Sequence, residues 1–556
     1  MILHHDCWLP RAALGAVALS LLSLGAHAGD YYVDAVHGNN ANSGASPAQA
    51  WRTITRALSA LPSTLGPAEV IHIAPGVYDS ALGEAFPLNL MYCPTVQLVG
   101  SGGSAVTILD GGGTGRVLNF ERTQRSGYSD PLTLVQGLTV RNAGTGLAMY
   151  SSYGPSYVTC RDVKFTQLSG WAITAGAGAG NVDGQPVGVF DNVEVSECGG
   201  AIHANAVNTA LGHPRVNLAF TDCTIARNTN EGILVEGYLE DSSTIVCTRT
   251  KVIDNGREGV RMVNTSDGYG VGGMNSIEFS ECLIARNGLA GVKVLFDGVS
   301  PTLQQDSHVQ ALIRRCTIAD NAGPGLDVNL SVLGQTHFVT TLEGTILYGN
   351  SDDVSDNPTQ PWIVNPTYND VGDGDYAGSH GNMSSDPLFV DAENRDYRLR
   401  FSSSCIERGD PATVPGTHDL AGNTRPIDGD LDTRELFDIG AYEHAPLFLF
   451  STGQLGSPLK LECWGRNGAY TMVSFSRLAP VEPRGTAFGE FDLNLIGVVR
   501  LFTCTVASGV PTVFARPIPD NPFLVGHTFS FQAWTLSSAA PVGYAYTNAV
   551  SVTIVP

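Results

Sequence analysis

At 556 residues the chain is longer than one ordinary core can serve, so several domains or an elongated repeat are expected. Its 64 glycines, with charged residues at only 15%, suit a turn-dense all-β protein and exclude a disordered one. A net charge of −22 argues against nucleic acid and anionic membrane surfaces. It also argues against a polyanionic substrate unless cations or a local basic patch intervene.

Residues 12–25 form an apolar run too short to span a bilayer, preceded by Arg11 and followed by the small-residue pattern Ala26-His27-Ala28. A secretory leader over 1–28, cleaved near Ala28, is expected, giving an exported protein that is released or held at the cell surface. No later stretch reaches membrane-spanning length. Ten cysteines then remain in a disulfide-permissive compartment.

Beyond the leader comes YYVDAVHGNNANSG, followed by AWRTITRAL and IHIAPGVY. Trp51, Ile54, Ala57, Leu58 and Leu61 recur at helical spacing, predicting one short amphipathic helix that covers an exposed strand edge. This opening resembles the N-terminus of exported right-handed parallel β-helix proteins of the pectin-lyase-like fold, in the group labelled DUF1565. The resemblance covers roughly residues 30–350 and implies three short parallel sheets wound about one axis. It leaves activity open, because such folds host lyases, hydrolases, epimerases and adhesins.

From residue 140 onward one pattern returns, clearest as CTIARNTNEGILV over 223–235: a short strand, an Asn, a three-residue turn, a Gly and a second strand. Asn228, Asn255, Asn287, Asn321 and Asn350 follow at spacings of 27, 32, 34 and 29 residues, a solenoid signature. Weaker copies place Asn142, Gln167 and Cys198 at the same point. The Asn column reads as a hydrogen-bonded ladder at a bend, and the following glycines as turn requirements. Cys223, Cys282 and Cys316 each lie five residues before the Asn and are expected as an inward column of small side chains. A Cys282–Cys316 disulfide is the alternative, though stacked side chains point alongside one another.

Alternation in the second strand sends Arg261, Lys293 and Asp327 outward in one column, with Glu236 and Asn329 one outward step further and His203 upstream. Two adjacent cations in an acidic protein need a reason. Arg261 or Lys293 is a candidate proton-abstracting base, with Glu236 and Asp327 as acid or metal partners. Substrate contacts are assigned to His203, Asn329, Tyr238, Tyr269 and Tyr153, the tyrosines lying in insertions that follow this strand and wall a groove. Glu236 and Asp327 fall three coils apart, roughly 14 Å, too far to act as a hydrolase pair. The resemblance implies that uronate lyases of this fold use Arg or Lys as base, with acidic side chains holding calcium. A solvated charge ladder or a binding surface is the competing reading of the same column.

Residues 351–445 are acidic and turn-rich. Asp419, Gly422 and Arg425, then Asp438-Ile439-Gly440-Ala441-Tyr442-Glu443, resemble the end module called choice-of-anchor Q. Asp428, Asp430 and Asp432 alternate as oxygen ligands for Ca²⁺, the competing reading being a solvated turn that closes the last coil. Residues 446–556 alternate in short runs between Pro and Gly turns, a small β-sandwich. A disulfide between Cys463 and Cys504 across its sheets is expected, and Trp464 and Trp534 are candidates for sugar stacking or for the core.

The sequence therefore predicts an all-β chain: leader 1–28, right-handed parallel β-helix with a capping helix 29–350, end module 351–445, and sandwich 446–556. Two function classes stay open. One is the binding or processing of an extracellular polysaccharide or cell-surface glycan, as a polysaccharide lyase; the other is a non-catalytic adhesion rod. A monomer with no nucleic-acid partner is expected.

Overall fold

The computed structural model describes residues 29–556 apart from 62–68, 91–94, 123–131, 153, 179–183, 208–213, 239–241, 267–273, 299–307, 331–336, 356–363, 413–417, 433, 466–468, 477–483, 487–488, 492–498, 507–510 and 537–543. The chain winds through three parallel sheets, which hold 12, 11 and 10 strands among the described residues. One coil shows the pattern: Arg215–Thr221 enters the first sheet, Thr224–Ala226 the second and Ile233–Tyr238 the third. Strands of the second sheet are three residues long in most coils, so one side chain of each points inward. Ile225, Val252, Ile284 and Ile318 stack there in strict register and are fully buried. Among the described residues, no helix is long and apolar enough to cross a membrane.

The expected helix is present as Ile54–Ala60 and packs against Asp30–Val33 and Leu88–Asn89 at the first coil. Thr53 caps it, and the Glu84 carboxylate accepts the backbone N–H groups of Ile54 and Thr55, satisfying two of the orphan donors of the first turn.

Two ladders hold the corners. Between the second and third sheets, each Asn Nδ2 donates to the Oδ1 of the next coil: Asn228 to Asn255 at 2.9 Å, Asn255 to Asn287 at 3.0 Å, Asn287 to Asn321 at 2.9 Å and Asn321 to Asn350 at 2.9 Å. Asp353 ends the run by accepting from Asn350. Every Oδ1 also takes the backbone N–H of the preceding Asn, so these buried turns carry few unmet polar groups. Gly259 gives the amides room, since a Cβ there would lie 2.7 Å from Asn287 Nδ2. Of the upstream copies, Cys198 holds the anchor position and donates its N–H to Asn228 Oδ1 at 3.0 Å, while the other two correct the sequence reading by one residue. Asn142 and Gln167 sit at the left-handed position before the ladder, shared with Glu197 and Arg227, while Ala143 and Leu168 fill the anchor position itself.

The corner between the first and second sheets uses one left-handed residue per coil, including Asp162, Asn192, Asp222, Arg249, Glu281 and Arg315. The next residue points inward, and here the cysteines do more than fill space. Cys282 Sγ accepts the Thr250 backbone N–H at 3.4 Å, and Cys316 Sγ accepts that of Cys282 at 3.4 Å. Thr345 Oγ1 and Asn369 Oδ1 take over the same task in the following coils. The thiols lie side by side as free cysteines rather than bridged. Cys282→Ala should therefore cost about 1–3 kcal/mol by orphaning a buried N–H, whereas Cys282→Thr keeps an acceptor and should cost less. Equal loss for both substitutions in urea unfolding would reduce the column to volume filling.

The 389–445 part of the end module does not hang beyond the final coil. It folds back along the outer face of the second sheet. Ala226, Ile253, Leu283, Ala285 and Ala319 face outward there and form a buried cluster with Tyr397, Ala441 and Tyr442. Arg425 is fully buried at the junction, its guanidinium bonding Glu281, Glu443 (2.6 Å) and the carbonyls of Asp438 (2.9 Å) and Gly440 (3.1 Å). Asp419, also buried, accepts the N–H groups of Ala421, Asn423 and Glu443 and so folds the turn that presents Arg425.

Residues 447–555 form antiparallel sheets of three and four strands that share one apolar core. Cys463 and Cys504, one from each sheet, meet as a hydrogen-bonded thiol pair. Trp464 is buried against Ile427, Ala445 and Phe448, which withdraws it as a sugar platform. Beside it His444 is fully buried, donating from Nδ1 to the Leu399 carbonyl at 2.8 Å amid Phe401, Phe448 and Trp464. Burial, with Arg398 nearby, pushes its imidazole from 6.5 down to about 4. The unfolded chain then takes up a proton on acidification before the folded one does, so this contribution is present above pH 6.5 and is lost as pH falls from about 6.5 to about 4. A His444→Gln variant should show a flatter stability profile across that window in thermal scans; an unchanged profile would remove His444 from the acid response.

Candidate functional site

The candidate site lies on the outer face of the third sheet. Register aligns Thr174, His203, Leu234, Arg261, Lys293 and Asp327 in one outward column. A second column, two residues on, carries Tyr150, Gly176, Asn205, Glu236, Val263, Leu295 and Asn329. Coils stack about 4.8 Å apart, so the two columns make a ruled surface along the solenoid axis.

The charged side chains form pairs along this surface. Lys293 Nζ meets Asp327 Oδ2 at 2.6 Å. His203 Nε2 meets Glu236 Oε2 at 2.7 Å, so Glu236 partners the imidazole rather than either cation. Arg261 leans the other way, to Glu231 at 3.6 Å, an ion-pair distance longer than a hydrogen bond. Its Nε is buried and makes no hydrogen bond among the described residues. Asn329 is exposed at the margin. For Tyr238 only the backbone, at the end of its strand, is described; Tyr153 and Tyr269 lie outside the described residues, as do most of the insertions.

Two features of this surface, a pair of carboxylates and Trp171, were not singled out in the sequence; a third, Tyr150, was expected there as one of the insertion rings able to stack on sugars. Glu231 and Glu258, each just before the turn glycine, are nearly buried carboxylates flanking Arg257 and Arg261. Their sequence signal was the repeated Glu-Gly at 231–232 and 258–259. Trp171 lies half-buried across Gly200 of the next coil, where a Cβ would stand 2.5 Å from its ring, and its ring is 5.1 Å from that of His203. Tyr150 repeats the device one coil earlier, its ring 3.0 Å from the Cβ position of Gly176. Two aromatic rings thus lie along adjacent coils, each accommodated by a glycine.

The predicted calcium ligands also come together. Asp428, Asp430 and Asp432 are joined by Glu407, which the sequence did not single out, with one oxygen from each within 4.8 Å of the others. Burial, then the proximity of Asp430 and Asp428, raises the Glu407 carboxyl from 4.5 to about 8. Four clustered carboxyl groups of this kind offer the hard oxygen donors that Ca²⁺ takes. They lie within the end module, not on the face that carries Arg261.

Two family models match the chain: "Protein of unknown function (DUF1565)" over residues 36–151 and "Right handed beta helix region" over 97–307. No curated protein matches it in sequence. Among solved structures it is similar to pectate lyase Pel9A, at 16% identity over 75% of this chain and 97% of that one, with a TM-score of 0.38. A rhamnogalacturonan lyase matches at 12% identity over 69% of this chain and 95% of its own, with a TM-score of 0.30. The A-module of the Azotobacter vinelandii mannuronan C-5 epimerase AlgE4 matches at 18% identity over 52% of this chain and 91% of its own, with a TM-score of 0.27. With its stacked coils, three parallel sheets and matched repeat region, the chain is a right-handed parallel β-helix protein.

Proposed function

We propose that the outer face of the third sheet binds an extracellular polysaccharide laid along the solenoid axis. The observation that carries this reading is Trp171, held flat over Gly200 where its ring can stack on the apolar face of a sugar. Three and four coils further along, Arg261 and Lys293 would take the carboxylate of an acidic sugar, Arg261 with donor capacity that Glu231 leaves unfilled. Lys293, its Nζ already engaged by the Asp327 carboxylate at 2.6 Å, suits this recognition better than proton abstraction.

Turnover is the second reading, favoured by the His203–Glu236 pair beside Trp171. An imidazole with one nitrogen held by a carboxylate is oriented to exchange a proton at the other. A panel of neutral and uronate-containing polysaccharides, read for binding, for the ultraviolet absorbance of unsaturated uronates and for reducing ends, separates the two. Binding without either product supports recognition alone; absorbance abolished by His203→Ala supports a lyase; failure to bind any member overturns the proposal.

We also infer that Glu407, Asp428, Asp430 and Asp432 hold Ca²⁺. Calcium should raise the midpoint of thermal unfolding by several degrees, and chelation should reverse it, while Glu407→Gln with Asp430→Asn abolishes the response. An identical midpoint with and without calcium rejects the assignment.

A further inference from the structure

The corner between the first and second sheets is a groove occupied over only part of its length. In the downstream coils the end module fills it: Arg425 bonds Glu281, Gly440 N donates to the Gly344 carbonyl at 2.8 Å, and Ala441 N donates to Thr317 Oγ1 at 3.0 Å. Alongside, Arg395 Nε donates to Asp254 at 2.6 Å and the Tyr397 hydroxyl to Asp320 at 2.7 Å. The docked segment supplies the donors in these contacts, and the solenoid supplies the acceptors.

Upstream, the same corner is open as a groove of about 570 Å³ lined from Val99 to Thr224. It crosses five coils, roughly 24 Å, a length that about seven extended residues would span. Gly100 and Gly137 keep its floor low at one end, since a Cβ on Gly100 would stand 2.1 Å from the Gly137 carbonyl oxygen. Gln136, Asp162, Asn192, Glu194 and Asp222 bring acceptors to it; Lys164 pairs with Glu194 at 3.0 Å, and Arg249 bonds Asp222 at 2.7 and 2.9 Å, as Arg315 bonds Glu281 downstream. Asp222 holds the corner position that Glu281 holds two coils on, and Thr224 holds the outward position of Thr317. The acceptors that receive Arg425 and Ala441 downstream thus have counterparts in the open half.

We propose that this upstream groove docks an extended segment of a partner protein that carries a basic side chain. Continuity with the seat of the chain's own module, where Glu281 takes Arg425 while also bonded to Arg315, favours a cationic, donor-rich strand. A glycan is the poorer fit, because no aromatic side chain lines the groove among the described residues.

The experiment uses the full mature chain and fluorescently labelled ten-residue peptides of Gly, Ser and Tyr bearing two arginines, with glutamate in their place as control. Fluorescence anisotropy should show the arginine peptide binding, the glutamate peptide at least tenfold weaker, and the affinity falling with added salt. Asp162→Asn with Glu194→Gln should weaken binding about tenfold with the thermal midpoint kept. Trp171→Ala should leave it unchanged, so that peptide docking and glycan binding fail separately. No binding at millimolar peptide, equal binding of both peptides, indifference to the double substitution, or competition by neutral oligosaccharides each overturns the proposal.

Discussion

Arg425→Leu is expected to cost roughly 3–5 kcal/mol and to release the 389–445 segment from the second sheet before the solenoid itself unfolds. The guanidinium is fully buried, and its donors go to two carboxylates and two carbonyls. Burial opposes its charge, but Glu443 and Glu281 outweigh that and hold its pKa above the usual value. Removing it leaves Glu281, 2% exposed, with Arg315 alone, and leaves Glu443 with only backbone donors. Arg425→Lys should recover little of this, because one ammonium cannot reach four acceptors in that planar arrangement. Hydrogen exchange gives the direct reading: the amides of Gly440 and Ala441 should lose protection while those of the Asn ladder keep theirs. Simultaneous loss at both places would mean that the module and solenoid unfold as one unit, and unchanged protection would deny Arg425 its role.

The site of that latch is written in the sequence, though in a form that is hard to read in advance. On the second sheet the outward positions of the upstream coils are Lys164, Thr166, Glu194, Ser196 and Thr224; downstream they become Leu283, Ala285, Ala319 and Ile346. Polar-to-apolar change on a face that should meet water marks where something covers it. Alternation and the Asn period made the coils and the outward charge column legible, because both depend on neighbours a few residues apart or one fixed repeat away. What they do not report is which way a long side chain leans. Arg261 could pair with Glu236 or Glu231 at equal cost to the pattern, and only packing chose Glu231. Asn142 and Gln167 are ambiguous for a related reason: polar residues suit the left-handed corner and the ladder alike, so the pattern does not separate two adjacent positions. Glu407 stands 21 residues before Asp428, with no periodicity to connect them.

The aromatic platform yields the other large expected effect. Truncating Trp171 to Ala should weaken polysaccharide binding by about 2 kcal/mol, roughly 30-fold, as is common for a central aromatic anchor. That result alone would not separate the ring's presence from its posture, and Gly200→Ala does. The added methyl would sit 2.5–2.8 Å from three ring carbons, so Trp171 must tilt off the sheet while its chemistry stays intact. If stacking on a flat ring is what binds, Gly200→Ala should lose about tenfold in affinity for neutral and acidic glycans alike. Lys293→Ala should instead spare the neutral ones and weaken the acidic ones, with the difference shrinking in salt. Isothermal titration against one neutral and one uronate oligosaccharide distinguishes these outcomes. Retained affinity in both Trp171→Ala and Gly200→Ala would show that the rings merely seal the sheet, and the glycan reading of this face would fall with them. Because Gly200 precedes the strand residues whose side chains point into the core, its effect on binding can be read apart from stability by checking that the thermal midpoint moves far less than the affinity.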